Sequence, residues 1–251
     1  MLRIVFLILA ILVASSAAFA VVTERDLSYL TASWTSPEGV IFDQGGARST
    51  GTGIFDPFVR MQANNFERGY NSDYRPVQFH ESTTANWNHD LTVSTLPVVM
   101  IGGSPYREIK LDINEIQNDK DAYISLGRLL MFETTVPDLT GMPFDASGNY
   151  VPNPAAGWPA PIYDLGDNYI KLDARLGPGS GMGDMSVYIP ETLFTNTAAN
   201  FTLYSEFGKP LTCDDGFEEW AIIAAVPEPA SLVSLAVGFT GLIGLAFRKR
   251  R

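Results

Sequence analysis

"IGGSPYREIKLDINE", residues 101–115, places two glycines ahead of a run in which Ile109, Leu111 and Ile113 alternate with Lys110 and Asp112. Side chains alternate across an extended chain, so this run predicts a strand over 107–113 with one apolar face, entered through a turn at Gly102-Gly103. Working outward, the same kind of reading predicts strands at 76–80, 91–100, 127–133, 169–173, 185–189, 201–207 and 219–223, with Val187 and Ile189 repeating the one-faced pattern. Gly45-Gly46 and the glycine-rich stretch 177–183 mark further turns. Residues 137–161, rich in Pro, Gly and Asn, read as a long loop inside one domain, because strand signals resume directly after them. No sustained helical period competes. Many short strands without helices between them predict an all-β body, an antiparallel β-sandwich or jelly roll, since a parallel α/β sheet needs crossover helices. No repeat of about 20–50 residues is visible, which argues against a solenoid or propeller.

The two ends differ from this body. Arg3, an apolar run from Ile4 to Val13 and the small-residue ending Ala18-Phe19-Ala20 follow the order of a secretory signal, so residues 1–20 are expected to be a signal peptide removed near Val21. Between residues 21 and 225 there are 12 bases and 27 acids, a formal charge of −15. Such a body is repelled by nucleic acid and by anionic membrane surfaces, and no nucleic-acid partner is expected. Export permits disulfides, yet Cys213 is the single cysteine, so no internal bridge can form and the fold must rest on its core.

The last 26 residues, 226–251, have three parts. In Val226-Pro227-Glu228-Pro229 the prolines hold the backbone extended and deny it a helix. Residues 230–247 are 18 positions without a charge, near the lower limit for a membrane-spanning helix, and Gly238, Gly241 and Gly244 allow close packing on a partner helix. Arg248, Lys249, Arg250 and Arg251 form a basic stop that keeps this end in the cytoplasm and the body outside it. This order resembles the PEP-CTERM sorting signal of Gram-negative bacteria. The resemblance implies recognition by an exosortase, a membrane-embedded cysteine transpeptidase, cutting near Pro227-Glu228-Pro229 after transient anchoring in the inner membrane. It also implies a final place at the cell surface or in an extracellular matrix, often beside exopolysaccharide and biofilm genes. The body resembles a recurring, uncharacterised cargo of that system through "GTGIFDPFVRMQANNFERGYNSD" (51–73), "IGGSPYREIKLDINE" (101–115), "GSGMGDMSVYIP" (179–190) and "DDGFEEWA" (214–221). These span most of residues 49–221, so the expected organisation is a signal peptide 1–20, one extracytoplasmic domain 21–225 and the sorting signal 226–251.

Chemistry within the body rests on carboxylates with amide neighbours: Asp112-Ile113-Asn114-Glu115; Asp164, Asp167 and Asn168; Asp173 and Asp184; Asp214-Asp215 with Glu218-Glu219. Oxygen donors in glycine-flanked turns suit calcium, which takes six to eight oxygens, and Asp164, Asp167 and Asp173 are the first expectation for a structural calcium site. None of these runs has EF-hand spacing, and acids in turns also serve as Asx turns and solubilising surface. No other cofactor is expected. His80 and His89 are not at a zinc spacing, Cys213 has no histidine near it in sequence, and Gly179-Ser180-Gly181-Met182-Gly183 lacks both a phosphate-loop lysine and the G-x-S-x-G elbow. Two functions stay open: a non-catalytic surface or matrix protein binding exopolysaccharide through aromatics such as Trp87, Trp158 or Tyr163, and a secreted hydrolase of matrix polysaccharide using paired carboxylates.

Overall fold

The computed structural model describes residues 22–45, 53–116, 118, 121–177, 183–214 and 216–225. The expected signal peptide, the sorting motif Val226–Pro229, the span 230–247, the basic tail and Ser180 lie outside the described residues. In chain order the strands are β1 (Thr23–Asp26), β2 (Ser33–Thr35), β3 (Ile41–Asp43), β4 (Gly53–Met61), β5 (Glu67–Tyr70), β6 (Leu91–Thr92) and β7 (Val98–Ile101). They continue as β8 (Ser104–Asp112), β9 (Tyr123–Thr134), β10 (Tyr163–Asp164), β11 (Asn168–Asp173), β12 (Met185–Pro190), β13 (Asn200–Phe207) and β14 (Glu218–Ala225). One sheet runs β1-β11-β9-β13-β5, with β10 beside β9 and β6 beside β13; the other runs β2-β3-β12-β8-β14-β4, with β7 beside β8. All pairs are antiparallel except β1 with β11. The body is an all-β sandwich.

The stretch 101–115 behaves as its pattern requires. Gly102 (φ 58°) and Gly103 (φ 86°) make a two-residue turn that only a residue without a Cβ adopts cheaply, and it pairs Ile101 with Ser104 to start the β7–β8 hairpin. Ile109 and Leu111 are buried completely between the sheets. Their inward neighbours include Trp220 of β14 and Phe42 of β3 from the same sheet, and Leu126, Met131 and Leu203 from the other. A polar tie crosses this core, where Trp220 Nε1 donates to Ser205 Oγ of β13 at 3.0 Å. Burying side chains of this size contributes about 1.5–3 kcal/mol each, which is how the fold holds without a disulfide.

The loop 137–161 lies against the first sheet's outer face. Tyr70, Leu130, Phe132 and Tyr204, which point away from the main core, form a second cluster with Leu139, Met142 and Trp158. Trp158 is fully buried, edge-on to Tyr70 at 5.1 Å and to Phe132 at 5.7 Å, with its Nε1 donating to Thr140 O at 2.9 Å. Both faces of β9 and β13 are therefore covered.

Two predicted strands differ in the structure. Residues 76–80 are bends rather than a strand, because the chain there crosses between sheets: His80 N donates to Arg68 O of β5 at 3.1 Å, and Gln62 N donates to His80 O at 3.2 Å. The run 91–100 splits at a 3-10 turn, Val93–Thr95, so that β6 joins one sheet and β7 the other. At that break the carbonyls of Val93 and Leu96 accept from Arg107 Nη1 at 3.1 and 2.9 Å. Arg107 also holds Glu191 through two bonds of 2.6 and 2.8 Å.

That ion pair carries a prediction. Arg107 holds the Glu191 carboxyl below its ordinary value of 4.5, against a smaller opposing effect of burial. A depressed carboxyl contributes stability that is present above about 4.5 and disappears as pH falls through the lower folded value. Glu191→Gln should destabilise by about 1–3 kcal/mol at pH 7, since it leaves a buried guanidinium unpaired. Denaturant titrations of both proteins should converge below pH 4; a gap of constant size across pH would show that the charge is not what matters.

Candidate functional site

Part of the acidic set singled out in the sequence, Asp112, Glu115, Asp184, Asp214 and Glu218, comes together at one end of the sandwich, where Glu67 joins it. Inward positions along a strand alternate, so Glu218 shares its face with Trp220, while Glu67 points opposite to the outward Tyr70 and pairs across from Phe207. Glu218 comes from one sheet and Glu67 from the other, and each is only 1% exposed. Glu67 Oε2 accepts from Ala63 N at 3.0 Å. Glu115, just beyond β8, is buried beside them and accepts from Asp214 N at 2.9 Å through Oε2. Cys213 is buried in the same place, its Sγ donating to Ala63 O at 3.5 Å. Burial, with Glu67 and Glu115 alongside, pushes its thiol up to about 12, so it is a neutral thiol and not a nucleophile.

Around this pocket of acid the backbone is tightly fitted. Asp112 accepts from Gly183 N at 3.2 Å, and Asp184 Oδ2 accepts from Ile113 N at 2.8 Å. Asn114 Nδ2 donates to Phe217 O at 3.0 Å. Gly216 has φ 70°, and a Cβ there would lie 1.9 Å from Asn114 O. Only glycine satisfies both conditions.

On the outer face beside this end, Arg60 of β4 pairs with the buried Glu219. Its guanidinium lies between two rings, 3.5 Å from the Trp87 centroid and 3.9 Å from that of Phe217. A groove of about 490 Å³ opens here, lined by Arg60, Gln62, His80, Ser82, Thr83 and Phe217. Burial, helped by Arg68, lowers the pKa of His80, whose Nδ1 accepts from Arg68 N at 3.2 Å.

The expected calcium ligands are placed apart. Asp164 and Asp167 border one surface groove of about 280 Å³, and Asp164 Oδ1 accepts from Gly166 N at 2.8 Å in an Asx turn. Asp164 stands opposite Leu130 of β9 and Asp173 opposite Tyr123. That is seven residues of strand, about 23 Å at ~3.3 Å per residue, so one ion cannot touch both. Asp173 is occupied by Arg175 at 2.7 Å, which holds its carboxyl below the ordinary range in spite of burial. Among the described residues the acids that do meet, with oxygens within 4.8 Å of one another, are Asp73, Asp90 and Asp138. No local pattern marks them, because they come from three separate loops. Burial raises the Asp90 carboxyl, and the charges of Asp73 and Asp138 add to this although Asp138 N donates to it at 2.6 Å. The ring residues separate too. Trp158 and Tyr163 are core residues and cannot serve as exposed platforms, whereas Trp87 is half-buried.

With this geometry in view, the tail supplies the class. Residues 225–251 match the family model of the PEP-CTERM protein-sorting motif. The tail is thus a PEP-CTERM sorting signal, which implies export, exosortase processing and a C-terminal membrane anchor before that processing. Comparison with curated proteins and with solved structures finds no match to either.

The tight approach at Gly216 gives the site's prediction. Gly216→Ala should lower stability by more than about 2 kcal/mol, since the new methyl cannot avoid the Asn114 carbonyl and the backbone must leave the left-handed region. Gly141→Ala, where φ is 67° but nothing lies within 4 Å, should lower it by only about 1 kcal/mol. Equal losses in chemical denaturation would mean that the approach to Asn114 is not rigid.

Proposed function

We propose that this protein is a non-catalytic component of the bacterial surface or extracellular matrix, delivered by exosortase processing, whose body binds exopolysaccharide of the biofilm. The observation that carries the reading is the sorting motif over residues 225–251, which gives the body an extracytoplasmic destination. The groove beside Arg60 supports the choice of ligand. The Phe217 ring offers a face for a sugar's C–H surface, and Arg60, Gln62, Ser82 and Thr83 offer groups that pair with hydroxyls. A body with charge −15 repels uronate-rich polymers, so a neutral polysaccharide is the better fit. A hydrolase needs a carboxyl pair open to the glycosidic bond. Glu67 and Glu218 face each other but are sealed from solvent, which weighs toward the non-catalytic reading.

Two measurements test the two halves of this proposal. Replacing Pro227, Glu228 and Pro229 by alanine should leave membrane insertion intact and abolish processing in a host with the exosortase, so that the full-length chain accumulates in the inner membrane. Equal processing of both forms would make the motif a bystander. In affinity electrophoresis a neutral glucan should retard the native protein and an alginate-type uronate should not, and Phe217→Ala should weaken the binding about two- to tenfold, in line with roughly 0.5–1.5 kcal/mol for a stacked ring. Unchanged mobility of the native protein in both gels would remove the ligand assignment.

A further inference from the structure

β7 hydrogen-bonds to β8 on one side and to no strand on the other. Its register fixes which groups face outward. Pro97 O accepts from Glu108 N at 2.9 Å, and bonded and unbonded pairs alternate along an antiparallel ladder. Val99 opposite Tyr106 and Ile101 opposite Ser104 are therefore bonded pairs, whereas Val98 opposite Arg107 and Met100 opposite Pro105 are not. Pro105, which has no N–H, stands where none is needed. The N–H and C=O of Val98 and Met100 point away from β8, and among the described residues neither bonds to a further strand or turn. Their side chains share the open face and are 52% and 65% exposed. Other sheet edges are protected: β1 carries Glu24, Arg25 and Asp26, β4 is bridged by Glu81 and Asn88, and Arg68 of β5 holds His80. Nothing of the kind blunts β7, since residues 91–106 carry no charge.

We propose that the β7 edge pairs antiparallel with the β7 edge of a second copy of this chain, joining two bodies through one continuous sheet. The spare backbone groups require an extended partner, and this edge is complementary to itself. About a two-fold axis at Val99, Val98 of each copy falls opposite Met100 of the other. Both are bonded pairs, each exchanging two N–H···O bonds, and the exposed side chains cover one another in an apolar ladder. Pro97 falls opposite Ile101 in an unbonded pair, where its missing N–H is not needed. Charge selects the same place. Two bodies of −15 repel over most of their surfaces, and an uncharged edge gives the least opposed approach. Strands of 4 residues bury far less than the roughly 800 Å² per partner of a standard interface, so the dimer is reversible and forms at high local concentration.

The test uses the full chain in detergent, followed by analytical ultracentrifugation over a range of protein concentrations. The native protein should pass from monomer to dimer as concentration rises. Met100→Pro removes an outward N–H that bonds to nothing in the monomer, and Met100→Glu puts like charges on the ladder. Each should keep the native melting point in dilute solution and raise the dimer Kd about tenfold or more. Should Met100→Pro melt early, Met100→Glu decides alone. Oxidation tests the register. Val99→Cys should cross-link to its own copy, since facing Cα atoms of an unbonded pair lie about 4.5 Å apart. Met100→Cys should not, because it meets its own copy only diagonally, at about 7–8 Å, beyond the reach of a disulfide. Native Cys213 is buried and gives no cross-link. A native protein that stays monomeric overturns the proposal. A dimer unchanged by substitution at Met100 is held by another surface, the apolar tail included, and overturns it equally, as does cross-linking of Met100→Cys in preference to Val99→Cys.

Discussion

The rest of the structure depends on the burial of the first sheet from both sides. With one cysteine and no bridge, the fold has only packing to hold it, and a two-layer sandwich would leave Tyr70, Phe132 and Tyr204 facing water. The long loop 137–161 supplies the third layer. Trp158 sits edge-on to two of those rings, Phe144 lies 5.6 Å from Tyr204, and Tyr150 lies 5.1 Å from Phe132. Aromatic pairs of this geometry add roughly 0.5–1.5 kcal/mol each beyond their buried area. A segment rich in turn residues is thus part of the core, and its ordered path follows from the rings it covers.

The other end of the sandwich is built on the opposite principle. There the inward positions carry carboxyl groups, and burial together with Glu67 holds the Glu218 carboxyl well above its usual range. Natural interiors tolerate such an arrangement only where it serves a purpose or is neutralised. Beside these acids the backbone is held by the close approach of Gly216 to Asn114 and by the hydrogen bond from Gly183 N to Asp112.

Much of the fold could be read in the sequence wherever one face of a strand is buried and the other is wet. Alternation in 107–113 and 185–189 located β8 and β12 to within a few residues. The strands at 23–43 were missed because they are three or four residues long and mostly half-exposed, so no apolar run marks them. Residues 91–100 misled because one apolar stretch serves two sheets, and apolar character does not reveal a change of partner. For the site, Asp112, Glu115, Asp214 and Glu218 were visible as acids beside amides and glycine. Glu67 was not, for it stands in "FERGY" as an ordinary strand residue and acquires its meaning only from what β14 brings opposite to it. Convergence across more than a hundred residues of chain is invisible to local pattern.

The last strand has a mechanical consequence. β14 is an inner strand, hydrogen-bonded to β4 on one side and β8 on the other, and its pairing with β4 continues to Ala225, opposite Gly53. The sorting motif begins at the next residue, Val226, so no spacer separates the sheet from the exosortase recognition sequence. A pull on the tail, whether from the membrane or from whatever the processed end is joined to, runs along β14. It loads first the pairing with β4 at Ile222–Ala225 and then, at Glu219–Ala221, the pairing with β8 as well, in shear along the strand. Before processing, the body is thus held to its anchor through an inner strand of a sheet and not through an edge.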